Sequence, residues 1–324
     1  MWAIVCKEWG GEDDLSFEEI PEPNMIEAGV RIRVRAAGVN FADSLIISGK
    51  YQVKPQLPFC PGLEVSGEVI ECAPSVTRVR IGDRVMAMVQ YGGYAEEVVT
   101  PETDVFPIPE NMDYITAAGF PVTYGTSHIG LKAKLKLKEG ETLLINGASG
   151  GVGLTAIEIA KMMKIKVFAA AGSKKKLEMA KRAGADHLIN YQEEDLRGQV
   201  KLFTEGKGAD AVFDPVGGVA FESALRATAQ MGRILIVGFA SGSIPQIPAN
   251  ILLVKNISVI GYYWGGYRVL NPGALNSSFS ELLDWYQSGK LKPVISRIFD
   301  LEDGSKAIKE ITSRKSTGKL VIKM

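Results

Sequence analysis

Thr142-Leu-Leu-Ile-Asn146-Gly147-Ala148-Ser149-Gly150-Gly151-Val152-Gly153, running into the helix-length segment 154–163, decides the fold. An apolar strand that turns through glycines into a helix lets the backbone approach a pyrophosphate, whose charge the helix N-terminus favours. Gly150 and Gly153 stand at the third and sixth positions of the dinucleotide fingerprint, and Ala148 replaces its first glycine. Glycines alone would serve equally well as a tight turn. Their surroundings separate the two readings, because Thr142–Asn146 is the first of six strand candidates, followed by 166–170, His187–Asn190, Ala209–Asp214, 233–238 and 258–260. Segments with helical spacing link the first five. That alternation predicts right-handed βαβ crossovers, a parallel sheet covered on both faces and an α/β fold class. The glycine turn therefore reads as a dinucleotide cradle, with Ser149, Gly150, Gly151, Val152 and Gly153 against the phosphates.

Outward from the cradle, the end of the second strand selects the dinucleotide. An acidic residue about 20 positions beyond the glycines would bond the ribose 2′-hydroxyl of NAD. Here the chain reads Ala169-Ala170-Ala171-Gly172-Ser173-Lys174-Lys175-Lys176, with no carboxylate. A hydroxyl and ammonium groups suit a 2′-phosphate, so NADPH is the expected cofactor.

Before the cradle, short strands alternate with turns. Val30, Ile32 and Val34 alternate with Arg31, Arg33 and Arg35, the period of a strand buried on one face. Further strand candidates are 64–71, 84–89 and 94–99, punctuated by Pro61-Gly62, Gly82-Asp83 and Gly92-Gly93. Past Gly261 the pattern is irregular, with helix candidates at 276–287 and 303–313 and a last strand at Lys319–Lys323. That tail is too short to fold alone and is expected to return to the first domain. The expected division is 1–122 with 262–324, and 123–261. The run 132–138, alternating Lys with Leu or Ala, reads as a solvated edge before the first strand of the parallel sheet.

Composition narrows the partners. With 324 residues, 46% of them hydrophobic, the chain suffices for two cores of ordinary size. The 37 basic and 37 acidic side chains balance, so no broad field draws it to nucleic acid or an anionic membrane, and its partners are expected to be small molecules. No apolar run approaches the roughly 20 residues that span a bilayer, and Met1-Trp2-Ala3-Ile4-Val5-Cys6-Lys7 lacks a basic segment leading into a long apolar one, which predicts a cytoplasmic protein. Cys6, Cys60 and Cys72 are odd in number and scattered, as expected of reduced packing thiols.

Several further stretches stand in an order that recurs in one family: Ala36-Ala-Gly-Val-Asn40-Phe-Ala-Asp43, Gly49-Lys-Tyr51, Pro58-Phe-Cys-Pro-Gly62-Leu-Glu64-Val-Ser-Gly67, Gly82-Asp-Arg-Val85, Pro121-Val-Thr-Tyr-Gly-Thr126, Asp214-Pro-Val-Gly-Gly218 and Gly232-Arg-Ile-Leu-Ile-Val-Gly-Phe239. Through these and the cradle, the chain resembles the medium-chain dehydrogenase/reductase superfamily and, within it, the NADPH:quinone oxidoreductase family. The resemblance implies an N-terminal GroES-like β-barrel catalytic domain completed by the C-terminal tail. It also implies an inserted Rossmann domain, an active-site cleft where the two meet, and a homodimer.

Zinc-dependent members of the superfamily carry a cysteine where this chain has Asn40, and a histidine where it has Leu63 before Glu64. An amide and an aliphatic side chain do not replace a thiolate and an imidazole, so no metal is expected. The structural zinc lobe is missing too, since the segment 85–99 passes without a cysteine. His128 and His187, the only histidines, read as structural. Without a Lewis acid the acceptor must already be electrophilic by conjugation, as a quinone or an α,β-unsaturated carbonyl is.

Position by position, the resemblance places Asn40 and Tyr51 beside nicotinamide and substrate, as donors to a developing oxyanion. Either is equally readable as a structural turn residue, and Asp43 as the cap of a helix-like turn at 44–47. The resemblance further places Thr123 and the loop Gly238-Phe239-Ala240-Ser241 at the nicotinamide half, and Ser173, Lys176 and Tyr191 around the 2′-phosphate. Glu64 reads as a buried structural carboxylate, and Tyr262-Tyr263-Trp264-Gly265 as packing. The nearest rival reading is an NADPH-dependent enone or 2-alkenal reductase using the same residues. A more distant one is an acyl-thioester enoyl reductase. From another class comes a non-catalytic NADPH-binding protein, structural or RNA-associated.

Overall fold

The computed structural model describes every residue except Lys315. Contacts divide the chain into two units, Met1–Val122 with Phe279–Met324, and Thr123–Ser278.

The first unit opens with the antiparallel pair β1 (Trp2–Cys6) and β2 (Leu15–Glu19). It continues through β3 (Gly29–Val39), α1 (Phe41–Ile47), β4 (Glu64–Cys72), β5 (Arg84–Met88), β6 (Glu97–Pro101), β7 (Val105–Pro107) and α2 (Tyr114–Ala118). Next, α3 (Pro121–Ile129) begins with proline, whose missing N–H costs a helix nothing in its first turn. The second unit alternates β8 (Thr142–Asn146), α4 (Gly151–Met162), β9 (Lys166–Ala171), α5 (Lys174–Arg182), β10 (His187–Asn190), α6 (Leu196–Phe203), β11 (Ala209–Asp214), α7 (Gly218–Ala227), β12 (Thr228–Ile236), α8 (Ala249–Lys255) and β13 (Ser258–Gly261). After α9 (Tyr267–Leu270) and α10 (Pro272–Gln287), the chain ends in β14 (Ile295–Asp300), α11 (Gly304–Thr312) and β15 (Lys319–Lys323).

In the first unit the strand order is β14-β15-β3-β4-β5-β7, with β6 also paired to β3. The tail thus enters the interior of the sheet: β15 lies antiparallel to β3, Leu320 opposite Val39, and parallel to β14. Val30, Ile32 and Val34 point into a core with Val65, Val85, Val98, Leu320 and Ile322, as their alternation with arginine foretold. In the second unit all six strands run parallel in the order β10-β9-β8-β11-β12-β13. The order reverses direction between β8 and β11, the switch point where such sheets bind ligands. Leu144, Phe168, Val212, Phe221 and Ile234 fill the core on one face. The fold is α/β, with a GroES-like unit and a doubly wound Rossmann unit.

Most elements end within one or two residues of the sequence reading, and some differences are larger or change a partner. The expected strand at 94–99 splits, since Ala95 bridges Ala3 before Glu97 begins pairing with β3. The strand expected from 233 begins at Thr228, with a register shift before Arg233. Residues 262–278, expected with the first unit, pack in the second: Tyr262 Oη donates to Thr126 O at 3.0 Å, and the Trp264 ring lies against Gly125. The run 132–138 keeps Leu135 and Leu137 buried beneath outward lysines, after a π-helical turn at Gly130–Lys134.

Candidate active site

In the second unit, β8 ends at Asn146 and the chain turns at Gly147, with φ +59°, into α4. Gly150 caps α4 without a side chain, so first-turn N–H groups stay open to an anion. A Cβ at Gly153 would stand 2.4 Å from Gly147 O, so the helix approaches the turn more closely than any other residue permits. Ser149 is buried in the turn and Val152 O accepts a bond from Ser127 Oγ. This backbone cradle fits a dinucleotide pyrophosphate. Thr123, on α3, is buried and its carbonyl accepts from Thr155 Oγ1 at 3.1 Å.

At the end of β9, Ser173 caps α5, its Oγ accepting from Lys176 N at 3.4 Å. Tyr191, just past β10, lies with its ring against Gly172. The structure thus gathers Ser173, Lys176 and Tyr191, with Lys174 and Lys175, at the adjacent ends of β9 and β10, and the stretch 169–176 at the end of β9 bears no carboxylate. The loop Gly238-Phe239-Ala240-Ser241 follows β12 and lies over the β11–α7 turn, where Ala240 N donates to Pro215 O and Ser241 N to Val216 O. Under it is a feature the sequence did not disclose. Buried Asn146 Nδ2 donates to Asp214 Oδ1 at 3.0 Å and to Ala220 O at 3.2 Å, tying the ends of β8 and β11 together. Asp214 also accepts from the N–H groups of Val216 and Gly217, which only partly offset the upward push of burial on its pKa.

The first unit holds a denser polar network. Asn40 follows β3 and caps α1; its backbone N–H donates to Asp43 Oδ2 at 2.7 Å, and Tyr94 Oη donates to the same oxygen at 2.6 Å. Burial pushes the Asp43 carboxyl up to about 7, against the opposing pull of these two donors and of Lys319. Asp43 is therefore part of α1 and holds the backbone of the turn in front of it. Asn40 Nδ2 donates to Glu64 Oε1 at 2.9 Å and to Gly38 O at 3.3 Å. Both amide hydrogens are thus engaged within the unit, and a donor role toward an oxyanion requires one of them to be released. Glu64 is fully buried, its Oε2 accepting from Val122 N at the start of α3 and its Oε1 paired with the Lys319 ammonium. Lys319 also donates to Asn40 Oδ1 at 2.6 Å. Tyr51 packs half-buried on the first core, past the end of α1.

Lys319 was missed as a site residue because it lies 255 positions from Glu64. Its one sequence signal is a lysine heading the apolar run Leu320-Val-Ile322. His128 is buried on α3 with Nδ1 2.8 Å from Ser278 Oγ, and His187 stacks on Phe168 and Phe203 at the start of β10.

Family models match two stretches: an alcohol dehydrogenase GroES-like domain over residues 27–110 and a zinc-binding dehydrogenase over 151–288. The chain is 43% identical over 326 residues to the quinone oxidoreductase-like protein 2 homolog of Nematostella vectensis, spanning 99% of this chain and 88% of that protein. The chain belongs to the medium-chain dehydrogenase/reductase superfamily. Within the superfamily it is also 32% identical over 333 residues to the quinone oxidoreductase of Sus scrofa, spanning 99% of this chain and 97% of that one. The crystal structure of Escherichia coli quinone oxidoreductase complexed with NADPH matches with a TM-score of 0.93 and 28% identity over 100% of both chains. As a superfamily member the chain is an oxidoreductase of the NAD(P) type, and the open, glycine-lined cradle fits that cofactor.

Zinc, which the second family model names, does not fit the residues present. Asn40 and Leu63 offer no thiolate or imidazole, and Glu64 is already paired with an ammonium that would repel a divalent cation. Among the described residues no three His, Cys, Asp or Glu side chains gather into a metal-binding group.

Proposed function

We propose that this superfamily member is a zinc-independent, NADPH-dependent reductase whose acceptor is a quinone. The observation that supports it is the Lys319–Glu64 pair. It sets an ammonium beside Asn40 and Glu64, where the resemblance implies that zinc-dependent members of the superfamily hold their metal, so these residues offer no Lewis-acid site to polarise an unactivated carbonyl. A conjugated acceptor needs none.

When bound, the dinucleotide supplies the hydride. Ser149, Gly150, Gly151, Val152 and Gly153 hold its pyrophosphate, while Ser173, Lys176 and Tyr191 hold the 2′-phosphate that makes NADPH the cofactor. Thr123, Asn40 and the loop Gly238-Phe239-Ala240-Ser241 orient the nicotinamide half. On the acceptor side, Asn40 Nδ2 and the Tyr51 hydroxyl donate to the oxygen that gains charge, and Asp43 holds the backbone that carries Asn40. A quinone that accepts hydride becomes a hydroquinone monoanion, which takes one proton from solvent.

The reading includes a homodimer, supported by the open edge of β13 and the exposed Leu253 and Val254 of the neighbouring α8. It also includes a cytoplasmic setting, supported by three free thiols. Among the described residues no helix is long and apolar enough to cross a membrane.

The test is NADPH oxidation followed by absorbance, with chelator present, against 1,4-benzoquinone, 9,10-phenanthrenequinone and a linear enal, repeated with NADH. Quinone turnover with NADPH, indifferent to chelator, is expected. Turnover of the enal alone replaces the acceptor class with conjugated alkenals. NADPH binding without turnover of any acceptor removes the reading in favour of a non-catalytic protein.

A further inference from the structure

An amide has two ends of similar shape and opposite hydrogen-bonding character, so its orientation follows from its neighbours. Around Asn40 those neighbours leave one choice. Lys319 Nζ, which has only donors, sits 2.6 Å from Oδ1. Glu64 Oε1, which as a carboxylate oxygen only accepts, sits 2.9 Å from Nδ2. A reversed amide would set N–H against ammonium and oxygen against carboxylate. The second Nδ2 hydrogen makes the longest bond of the group, 3.3 Å to Gly38 O, and is the one most readily given up. The backbone is shaped around this arrangement. A Cβ at Gly38 would stand 2.3 Å from Glu64 Oε1, and one at Gly119 would stand 2.8 Å from Lys319 Cγ.

We propose that Lys319 is a positioning residue for reduction: by claiming Asn40 Oδ1, it keeps an Asn40 N–H, and never the amide oxygen, available to the acceptor oxygen that becomes negative. The proposal rests on the reductase reading above. Lys319 reaches this place from β15, the last strand of the chain, which lies against β3 where Asn40 follows.

A lysine that serves only as counter-ion to Glu64 makes a different prediction, and the variant Lys319→Met/Glu64→Gln separates the two. The single change Lys319→Met leaves a buried carboxylate unpaired and is expected to unfold easily. The double variant removes both charges, but the amide introduced in place of the Glu64 carboxylate has one carbonyl for two donors, Val122 N–H and Asn40 Nδ2. The single variant Glu64→Gln is therefore measured beside it, and the effect of Lys319 is read as the difference between the two. The double variant is expected to melt within a few degrees of wild type and to bind NADPH, followed by fluorescence, within about twofold. Its kcat for quinone is expected to fall about 10- to 100-fold below that of Glu64→Gln, the scale of a misaligned donor. A kcat that returns with the melting temperature overturns the proposal.

A second readout needs no turnover. In protein labelled with 15N-asparagine, the Asn40 side-chain amide pair, identified by its loss in Asn40→Asp, is expected to stand apart from exposed amides in wild type. In the double variant it is expected to move toward them. An Asn40 signal unchanged in the double variant overturns the proposal. Wild-type protein inert toward every acceptor sinks the reductase reading, while a shifted amide signal still establishes that Lys319 sets the orientation of Asn40.

Discussion

Asp43 shows how much one side chain can depend on its surroundings. Its Oδ2 receives Asn40 N–H and Tyr94 Oη, while Oδ1 is buried with no hydrogen-bond partner. A carboxyl raised from 3.8 to about 7 holds its proton more tightly folded than unfolded. Its contribution is therefore complete below about pH 4 and disappears as pH rises through about 7. Relative to Asp43→Asn, wild-type protein should lose roughly 4 kcal/mol of stability across that window. Urea midpoints at a series of pH values measure this, and parallel profiles for the two proteins would count against it. The sequence expected a helical turn after Asp43, but α1 begins two residues before it, with Asn40 as the cap and Asp43 in the first turn, its carboxylate reaching back three positions to Asn40 N–H. Nor did the sequence reveal that both hydrogens of the Asn40 amide are committed, since the committing groups, Glu64 and Lys319, arrive from other strands.

Among the elements, those set by local pattern were legible. β8, β10, β11 and β15 begin and end where alternation and turn residues place them. The segment 94–99 was not, because its pairing changes partner from Ala3 to β3 midway, a choice made by tertiary contacts. The β9–α5 junction joins a legible pattern to a testable selectivity. Ser173 caps α5 and Lys176 lies on its first turn, with Tyr191 against the preceding Gly172. Lys176→Ala is expected to weaken NADPH about tenfold while leaving NADH nearly unchanged, the value of one charge-assisted contact to phosphate. Titration of nucleotide fluorescence with both dinucleotides checks it, and equal loss for both would remove Lys176 from the 2′-phosphate site.

For the whole molecule, the parallel direction of the strands in the second unit followed from alternation, whereas its strand order and its extent did not. Tyr262 and Trp264 look like a seam in sequence, and their contacts with Thr126 and Gly125, together with the Ser278–His128 bond, place residues up to Ser278 in that unit. At this scale the open edge of β13 is the feature to probe. Light scattering on the eluted protein is expected to give twice the chain mass, and Leu253→Glu/Val254→Glu to reduce it to one. A wild-type protein that elutes as a monomer ends the dimer assignment.

The place of β15 between β14 and β3 has a consequence for how the protein comes into being. Synthesis runs from the N-terminus, and domains generally fold as they emerge. The six strands of the Rossmann unit lie within one continuous stretch and are complete once Ser278 has left the ribosome. The unit begun first must wait longest: until Lys319 is made, β3 lacks a neighbour along residues 36–39 and Glu64 lacks its counter-ion. A nascent chain arrested before Gly318 should therefore carry a mature nucleotide-binding half beside an unfinished partner. That exposed strand is where a chaperone would be needed.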